Sequence, residues 1–244
     1  MMKTPPIELT VILPCYNEEE NVKRIPSELI EELNALNLRY EIVAVDDGSR
    51  DNTLQELRKL QNTHANIKVF SHDKNMGLGR AIRTGIENSS GELIVTIDAD
   101  FTFHPRQIRN LLNRFYRGDA DCVIGSPKLM GYEEDVPRYR IALSNCGRII
   151  YNIVLGTKIT GVTPIFRLYR TEYLKELVLE IEGFGINAEI LAKLLFRKRR
   201  IVEIPAKLTT RIHGVSSLKT LKEIKAQLFL AVRILKWRIA GLLK

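Results

Sequence analysis

Short apolar, β-branched runs close at Leu13, Val45, Ser71, Asp98 and Gly125, and a segment of helical period separates each run from the next. That alternation predicts βαβ units, and hence an α/β chain with an open, mostly parallel, Rossmann-like sheet and helices on both faces. The first helix is expected from near Glu18, with Val22, Ile25, Leu29, Ile30, Leu33 and Leu36 on one side and Pro26 bearing on where it starts. A second opens at Thr53-Leu54, with Ser49 or Asp51 as cap and Leu57 and Leu60 inward. A third follows a glycine loop through Ala81, Ile82 and Ile86 until Gly91, and a fourth starts at Pro105 and packs Ile108, Leu111, Leu112 and Phe115. Ligands of such sheets bind outside the carboxyl ends of the strands.

At 244 residues the chain fits one large domain, read as a body over 1–217 and an amphipathic extension over 218–244. Lys and Arg outnumber Asp and Glu by 37 to 29, a surplus of +8 that favours an anionic partner such as a phosphate, a nucleic acid or an acidic membrane face. Cys15, Cys122 and Cys146 are far apart, lack metal-ligand spacing and follow no signal peptide, so a reducing cytoplasm is expected. The apolar stretch from Leu228 to Leu243 is broken by Arg233, Lys236 and Arg238, and no membrane span is expected.

Chemistry gathers at the strand ends. Asp98-Ala99-Asp100 follows Leu93-Ile94-Val95-Thr96-Ile97 at once, so two carboxylates on alternate positions can converge on a hard divalent cation that in turn holds a diphosphate. A nucleotide-sugar site is the first reading, and an Asp pair that merely caps the next turn is the plainer one. In Val11-Ile12-Leu13-Pro14-Cys15-Tyr16-Asn17-Glu18-Glu19-Glu20, a proline stops a strand, Tyr16 can lie against a base, and Glu18 can accept from base or ribose. The same acids also suit the dipole of a helix start. In Ile42-Val43-Ala44-Val45-Asp46-Asp47-Gly48-Ser49-Arg50-Asp51-Asn52-Thr53, an Asp at the strand's end can read the imide-like donors of a base, or serve turn chemistry. Gly77-x-Gly79 is not a dinucleotide fingerprint: Ile82 stands where the third glycine belongs, and the loop follows the third strand rather than the first.

Together with Asn75-Met76-Gly77-Leu78-Gly79-Arg80-Ala81, Gly85 and His104-Pro105, these segments resemble the family 2, GT-A type glycosyltransferases over residues 7–126. The second half is most similar to the polyprenyl-phosphate sugar synthases, the dolichyl-phosphate mannose synthase group. The residues that carry this likeness are Pro137-Arg138-Tyr139-Arg140, Phe166-Arg167-Leu168-Tyr169-Arg170, Gly183-Phe184 leading to Glu189, and Arg211-Ile212-His213-Gly214-Val215-Ser216-Ser217-Leu218. The resemblance implies a nucleoside pocket lined by Pro14, Tyr16, Glu18, Val45 and Asp47, with Asp98, Ala99 and Asp100 meeting ribose, diphosphate and Mg²⁺ or Mn²⁺. It implies phosphate contacts from Arg140 and Arg211, with Ser216 beside Arg211, and places Asp98, Asp100, Arg140 and Arg211 among the catalytic residues. The sequence departs from the synthase pattern at Thr102 (usually Gln), Pro127 (Arg, with Lys128 next door as its substitute), Gly161 (Asp), Gly185 (Lys) and Ser217 (Lys). These positions bear on which sugar moves and how an acceptor phosphate is gripped.

From Leu218 to Leu243, Leu221, Ile224, Leu228, Val232, Leu235, Ile239 and Leu242 recur at helical spacing, and Lys222, Lys225, Arg233 and Lys236 lie largely elsewhere on the wheel. Such a helix suits a membrane interface rich in anionic lipid, with Trp237 as headgroup anchor and Arg197-Lys198-Arg199-Arg200 adding charge, or it packs on the domain's own core. A second candidate, roughly Ile141 to Leu155, shelters a lipid tail or is core.

The leading expectation is an inverting transfer of a hexose, with GDP-mannose the favoured donor, onto a polyprenyl or dolichyl phosphate. The enzyme would sit peripherally on the cytoplasmic face of a membrane, with no nucleic acid among its partners. A phosphate acceptor is ionised near neutral pH and needs no strong base. A sugar hydroxyl would need one, with Glu189 or Asp135 as candidates. The alternatives are a family 2 enzyme using UDP-glucose or UDP-GlcNAc with a saccharide or other lipid acceptor, and a non-catalytic nucleotide-sugar or membrane-binding module.

Overall fold

The computed structural model describes residues 6–130, 149–209 and 220–239, with side chains from 228 onward in the last stretch. Strands β1 (Leu9–Cys15), β2 (Tyr40–Asp46), β3 (Ile67–Ser71), β4 (Leu93–Thr96), β5 (Cys122–Ser126), β6 (Arg167–Arg170) and β7 (Ile201–Pro205) form one 7-stranded sheet in the order β3-β2-β1-β4-β6-β5-β7. Neighbours run parallel except β6, which lies antiparallel between β4 and β5.

Strands ending near Leu13, Val45, Ser71 and Gly125 are as expected from the apolar runs, whereas β4 stops at Thr96 and leaves Asp98 on the turn beyond it. β6 and β7 were not foreseen. Arg167-Leu168-Tyr169-Arg170 is too short and too charged to announce itself by periodicity, yet both its neighbours cover it. β7 is an edge strand whose Ile-Val-Glu-Ile-Pro pattern is only half-buried.

The helix expected from Glu18 is broken into α1 (Glu19–Val22), a π-helical stretch Ile25–Ile30 and α2 (Glu31–Asn34). Pro26 supplies no N–H and crowds the preceding turn, which accounts for the break, while Val22, Ile25, Leu29 and Leu33 still face inward. Then follow α3 (Thr53–Thr63), α4 (Leu78–Glu87), α5 (Ile108–Phe115, entered by a 3₁₀ turn at Pro105–Gln107), α6 across 149–155, α7 (Thr171–Lys175), α8 (Ile186–Phe196) and α9 (Thr220–Ile239).

Alternate strand residues separate into two cores. Leu9, Val11, Leu13, Ile42, Ala44 and Val95 meet Leu29, Leu33, Leu57 and Leu111 on one face. On the other, Ile12, Ile94 and Ile124 meet Ile82, Ile190, Leu191, Leu230 and Ile234. Each fully buried Leu or Ile contributes about 1.5–3 kcal/mol.

Helix α9 is apolar on two sides. Leu230, Ala231 and Ile234 are buried against the core, whereas Phe229, Val232 and Ile239 are 71%, 53% and 79% exposed. Trp237, expected at the lipid headgroups, instead packs against the core with the Lys193 ammonium 4.7 Å and the Arg233 guanidinium 5.0 Å from its ring. The basic run at 197–200 lies at the amino-terminal edge of β7, where Arg200 pairs with Asp121 at 2.8 Å, Arg199 pairs with Glu176 and Arg199 stacks on Tyr173. Its charge is therefore largely committed within the fold, at the edge opposite the strands' carboxyl ends.

Candidate active site

The ends of β1 and β2 are laced together by the residues that looked like turn chemistry. Asn17, in a left-handed conformation at φ 54°, donates its N–H to Ser49 Oγ at 2.9 Å and accepts from the Arg50 N–H at 2.8 Å. The Glu18 N–H donates to Thr53 Oγ1, and Thr53 donates that hydroxyl to Asp51. Gly48, at φ 70°, brings its own backbone so close to Lys74 that a Cβ would lie 2.3 Å from the Lys74 carbonyl carbon. These contacts hold Pro14, Tyr16 and Glu18 on one lip. Pro14 and Tyr16 are half-buried, and the Glu18 carboxylate accepts from Asn21 Nδ2 at 2.5 Å.

Asp46 and Asp47 take different roles. Asp47 is buried and accepts from the Met76 and Gly77 N–H groups at 2.9 and 2.7 Å and from His72 Nδ1 at 2.7 Å, so it anchors the glycine loop. Asp46 accepts weakly from the Ser49 N–H, and its other oxygen, Oδ1, is buried with no hydrogen-bond partner among the described residues. Val45, expected on the pocket wall, is buried with Val43 and Ala81 behind this edge. Cys15 lies beside Asp46 in register, and burial, reinforced by the Glu18, Asp46 and Asp51 carboxylates, pushes its thiol well above the ordinary range. It is no nucleophile.

The glycine loop is a packing device. The Gly79 N–H donates to the Glu182 carbonyl at 2.5 Å, and a Cβ on Gly77 or Gly79 would come within 2.5 Å of the Glu182 or Ile181 carbonyl oxygen. The segment it receives is held from behind by Glu189. That carboxylate, fully buried, accepts from the Glu180 N–H at 3.0 and 3.1 Å and the Ile181 N–H at 2.9 Å, and pairs with Lys193 at 2.7 Å. Glu189, a candidate general base on sequence grounds, therefore has a structural task.

In the middle of the edge, Ile97 donates its N–H to the Ile12 carbonyl, which brings Asp98 alongside the Pro14 turn. The Phe101 N–H closes back on the Asp98 carbonyl at 3.2 Å, and Asp100 accepts from the Thr102 N–H at 3.0 Å. Phe101 sits at φ 52°, a strained conformation for a bulky side chain. It persists because Phe101 and Phe103 are buried and Phe103 stacks on Phe166 at 5.1 Å. Asp98 is half-buried, Ala99 and Asp100 are buried, and the turn is thus fixed from below.

A divalent ion fits this turn in a particular way. Among the described residues no cluster of three or more His, Cys, Asp or Glu could hold a metal, so Asp98 and Asp100 would supply two protein ligands and leave the remaining positions to water and phosphate oxygens. Mg²⁺ and Mn²⁺ tolerate such partial ligation. Carboxylates of Glu18, Asp46, Asp47, Asp98 and Asp100 gather along this edge, so a diphosphate brought here would need a cation between.

Lys128, on the 3₁₀ turn Pro127–Leu129 after β5, is half-buried near this edge. Asp135, Arg140, Arg211 and Ser216 lie outside the described residues, as do most of the Ile141–Leu155 stretch and Cys146.

The profile described as Glycosyl transferase family 2 matches residues 10–178, from β1 through α7. The chain belongs to glycosyl transferase family 2. It is 34% identical to the dolichol-phosphate mannosyltransferase of Pyrococcus furiosus over 235 residues, 95% of this chain and 64% of that protein. It is 26% identical to the dodecaprenyl-phosphate galacturonate synthase of Rhizobium johnstonii over 211 residues, 86% of this chain and 61% of that protein. The chain thus spans less than two thirds of the length of these curated relatives. Among solved structures it superposes on glucosyl-3-phosphoglycerate synthase from Mycobacterium tuberculosis, in complex with Mn²⁺, UDP and phosphoglyceric acid, with a TM-score of 0.70 and 19% identity over 94% of this chain and 77% of that one. The fold is therefore the GT-A fold expected of the family.

Proposed function

We propose that this family 2 chain is an inverting, metal-dependent hexosyltransferase that moves a sugar from a nucleotide diphosphate donor, GDP-mannose being favoured, onto a polyprenyl or dolichyl phosphate. The observation that carries this reading is the extent of the likeness to the dolichol-phosphate mannosyltransferase. It covers 95% of the chain and so runs past the family core at 10–178 toward the C-terminal helix. The galacturonate synthase, also named for a polyprenyl phosphate, points the same way.

In this reading Tyr16 stacks on the base while Glu18 accepts from base or ribose. Asp98 and Asp100 hold Mg²⁺ or Mn²⁺, which when bound neutralises charge developing on the leaving nucleoside diphosphate. The acceptor phosphate attacks the anomeric carbon in line, with Lys128, Arg140, Arg211 and Ser216 as its proposed grips. Its oxygen is already ionised, so the commitment of Glu189 to the backbone of 180–181 costs the reaction nothing. Incubation with a panel of nucleotide sugars, Mn²⁺ or Mg²⁺ and dolichyl phosphate, followed by mass analysis of the lipid, tests the proposal. A glycosyl phosphoryl lipid is expected, and sugar recovered only on a saccharide would favour the UDP-sugar alternative.

The outer face of α9 supports peripheral attachment to the cytoplasmic face of an anionic membrane, and no helix among the described residues is long and apolar enough to cross one. Phe229, Val232 and Ile239 point away from the core and Lys236 is exposed with them. Changing Phe229, Val232 and Ile239 together to Asp is expected to weaken binding to acidic vesicles on the order of 10²-fold without lowering the melting temperature, since about 1 kcal/mol of apolar burial is lost at each. Unchanged vesicle binding, read by co-sedimentation, would refute a membrane role for this face.

A further inference from the structure

The sheet divides at β4. The nucleotide-side residues stand on β1 and β2, the Asp98–Asp100 turn extends from β4, and beyond it come β6, β5 and β7. Because β6 is antiparallel, the loop that precedes it, residues 160–165, rises at the same edge as the site, on the side away from β1 and β2.

This loop has no regular structure, yet side chains hold five of its carbonyls and its first two amides. Carbonyls of five consecutive residues accept from three side chains. Arg167 Nη2 donates to Gly161 and Val162 at 3.0 and 2.6 Å, Arg167 Nε donates to Pro164, Asn187 Nδ2 donates to Thr163, and the Thr96 hydroxyl donates to Ile165. Arg167 is fully buried and also donates from Nη1 to the Asn187 carbonyl. The loop's first two amides, those of Thr160 and Gly161, go to Glu203 of β7. Both of its carboxylate oxygens accept from the Thr160 N–H at 2.9 Å, and one also accepts from the Gly161 N–H at 2.5 Å and the Thr160 hydroxyl at 2.8 Å. Ser126, at the end of β5, completes the chain by its hydroxyl contact to Thr160 at 2.7 Å. Gly161 fits the carboxylate directly, for a Cβ there would lie 2.7 Å from Ile124 Cγ2 and 3.1 Å from Glu203 Oε1.

A surface loop gripped at its amides by an anion and at its carbonyls by a cation is set before any ligand arrives. We propose that Glu203 is a positioning residue for the acceptor: through Thr160 and Gly161 it fixes residues 160–164 as the wall facing the donor across the Asp98–Asp100 turn. The inference rests on the polyprenyl-phosphate reading for the identity of the acceptor. Glu203 itself acts only through the loop.

The test is Glu203→Gln in the full chain, since one of the two accepting oxygens becomes an NH₂ that faces the Thr160 N–H and the charge on the loop's amides is lost. With a nucleotide sugar and a short-chain polyprenyl phosphate, KM for the lipid phosphate is expected to rise about 10-fold or more, while KM for the donor and the affinity for nucleoside diphosphate stay within about two-fold. Amide exchange in 157–166 should accelerate about 10-fold, with other segments unchanged. Thr160→Val, which removes the hydroxyl's bonds to Glu203 and Ser126 and keeps the shape, should move the same quantities in the same direction by about 3-fold, and serves if the first variant does not fold. An unchanged lipid KM, or donor and lipid KM values rising together, would overturn the inference. Should the wild-type protein transfer sugar from no donor to the lipid phosphate, the proposed function falls. Amide exchange then decides the inference about Glu203: acceleration confined to 157–166 supports it, and unchanged exchange overturns it.

Discussion

Asp100→Ala is expected to lower turnover by about 10²-fold or more while the protein remains folded, because the charge on the departing diphosphate loses half of the protein's hold on its counter-ion. Asp100 accepts a hydrogen bond from the Thr102 N–H, and the flanking Phe101 and Phe103 are buried and anchor the turn, so the fold is expected to survive the change. Steady-state rates across a Mg²⁺ and Mn²⁺ titration, with the melting temperature as control, check the outcome. With Asp98 and Asp100 as the ligands offered among the described residues, the protein alone should bind the ion weakly, and nucleoside diphosphate should tighten that binding about 10-fold or more. Full activity in EDTA would count against a metal at this turn.

Glu189→Ala is expected to cost about 3–5 kcal/mol, the usual loss when one partner of a buried ion pair is removed, and so to lower the melting temperature by about 10 °C. It strands the Lys193 ammonium and the Glu180 and Ile181 amides together. Calorimetry and kinetics separate this from a chemical role: Glu189→Gln with an unchanged melting temperature and turnover reduced about 10²-fold would return Glu189 to the position of general base.

These residues also mark how far the sequence could be read. Leu93–Ile97 before Asp98, and Ile42–Val45 before Asp46, were legible because an apolar β-branched run ending in acids combines burial with turn chemistry in consecutive residues. Glu189 was not, since a carboxylate on a helix looks the same whether it faces a substrate or satisfies distant amides, and its partners lie eight and nine residues upstream. Asp47 was read as a base contact, while its oxygens meet amides 29 and 30 residues away, a long-range pairing that turn patterns do not contain. Glu203 left one trace, a lone acid in the apolar alternation Ile201-Val202-Glu203-Ile204, which at an edge strand commonly means a polar partner above the sheet. Trp237 failed for the opposite reason. An indole beside lysines and arginines suits a headgroup layer, but the cations that attend it, Lys193 and Arg233, belong to the protein.

The place of β6 in the sheet sets an order of events during synthesis. Strands β1 to β4 are neighbours and can assemble as the chain leaves the ribosome, but β5, the next to emerge, has no seat against them, because β6 must stand between it and β4. Until Arg167–Arg170 is made, β5 is unpaired and the Leu93–Thr96 edge stays open, with apolar backbone on offer to any passing strand. Arg167 ends that exposure when it arrives. Its backbone pairs with Thr96 on one side and Ile124 on the other, and its guanidinium gathers the carbonyls just upstream. The nascent chain therefore waits on β6 to join its two halves, and a holdase that covers strand edges would find β4 and β5 open to it in the interval between β5 and β6.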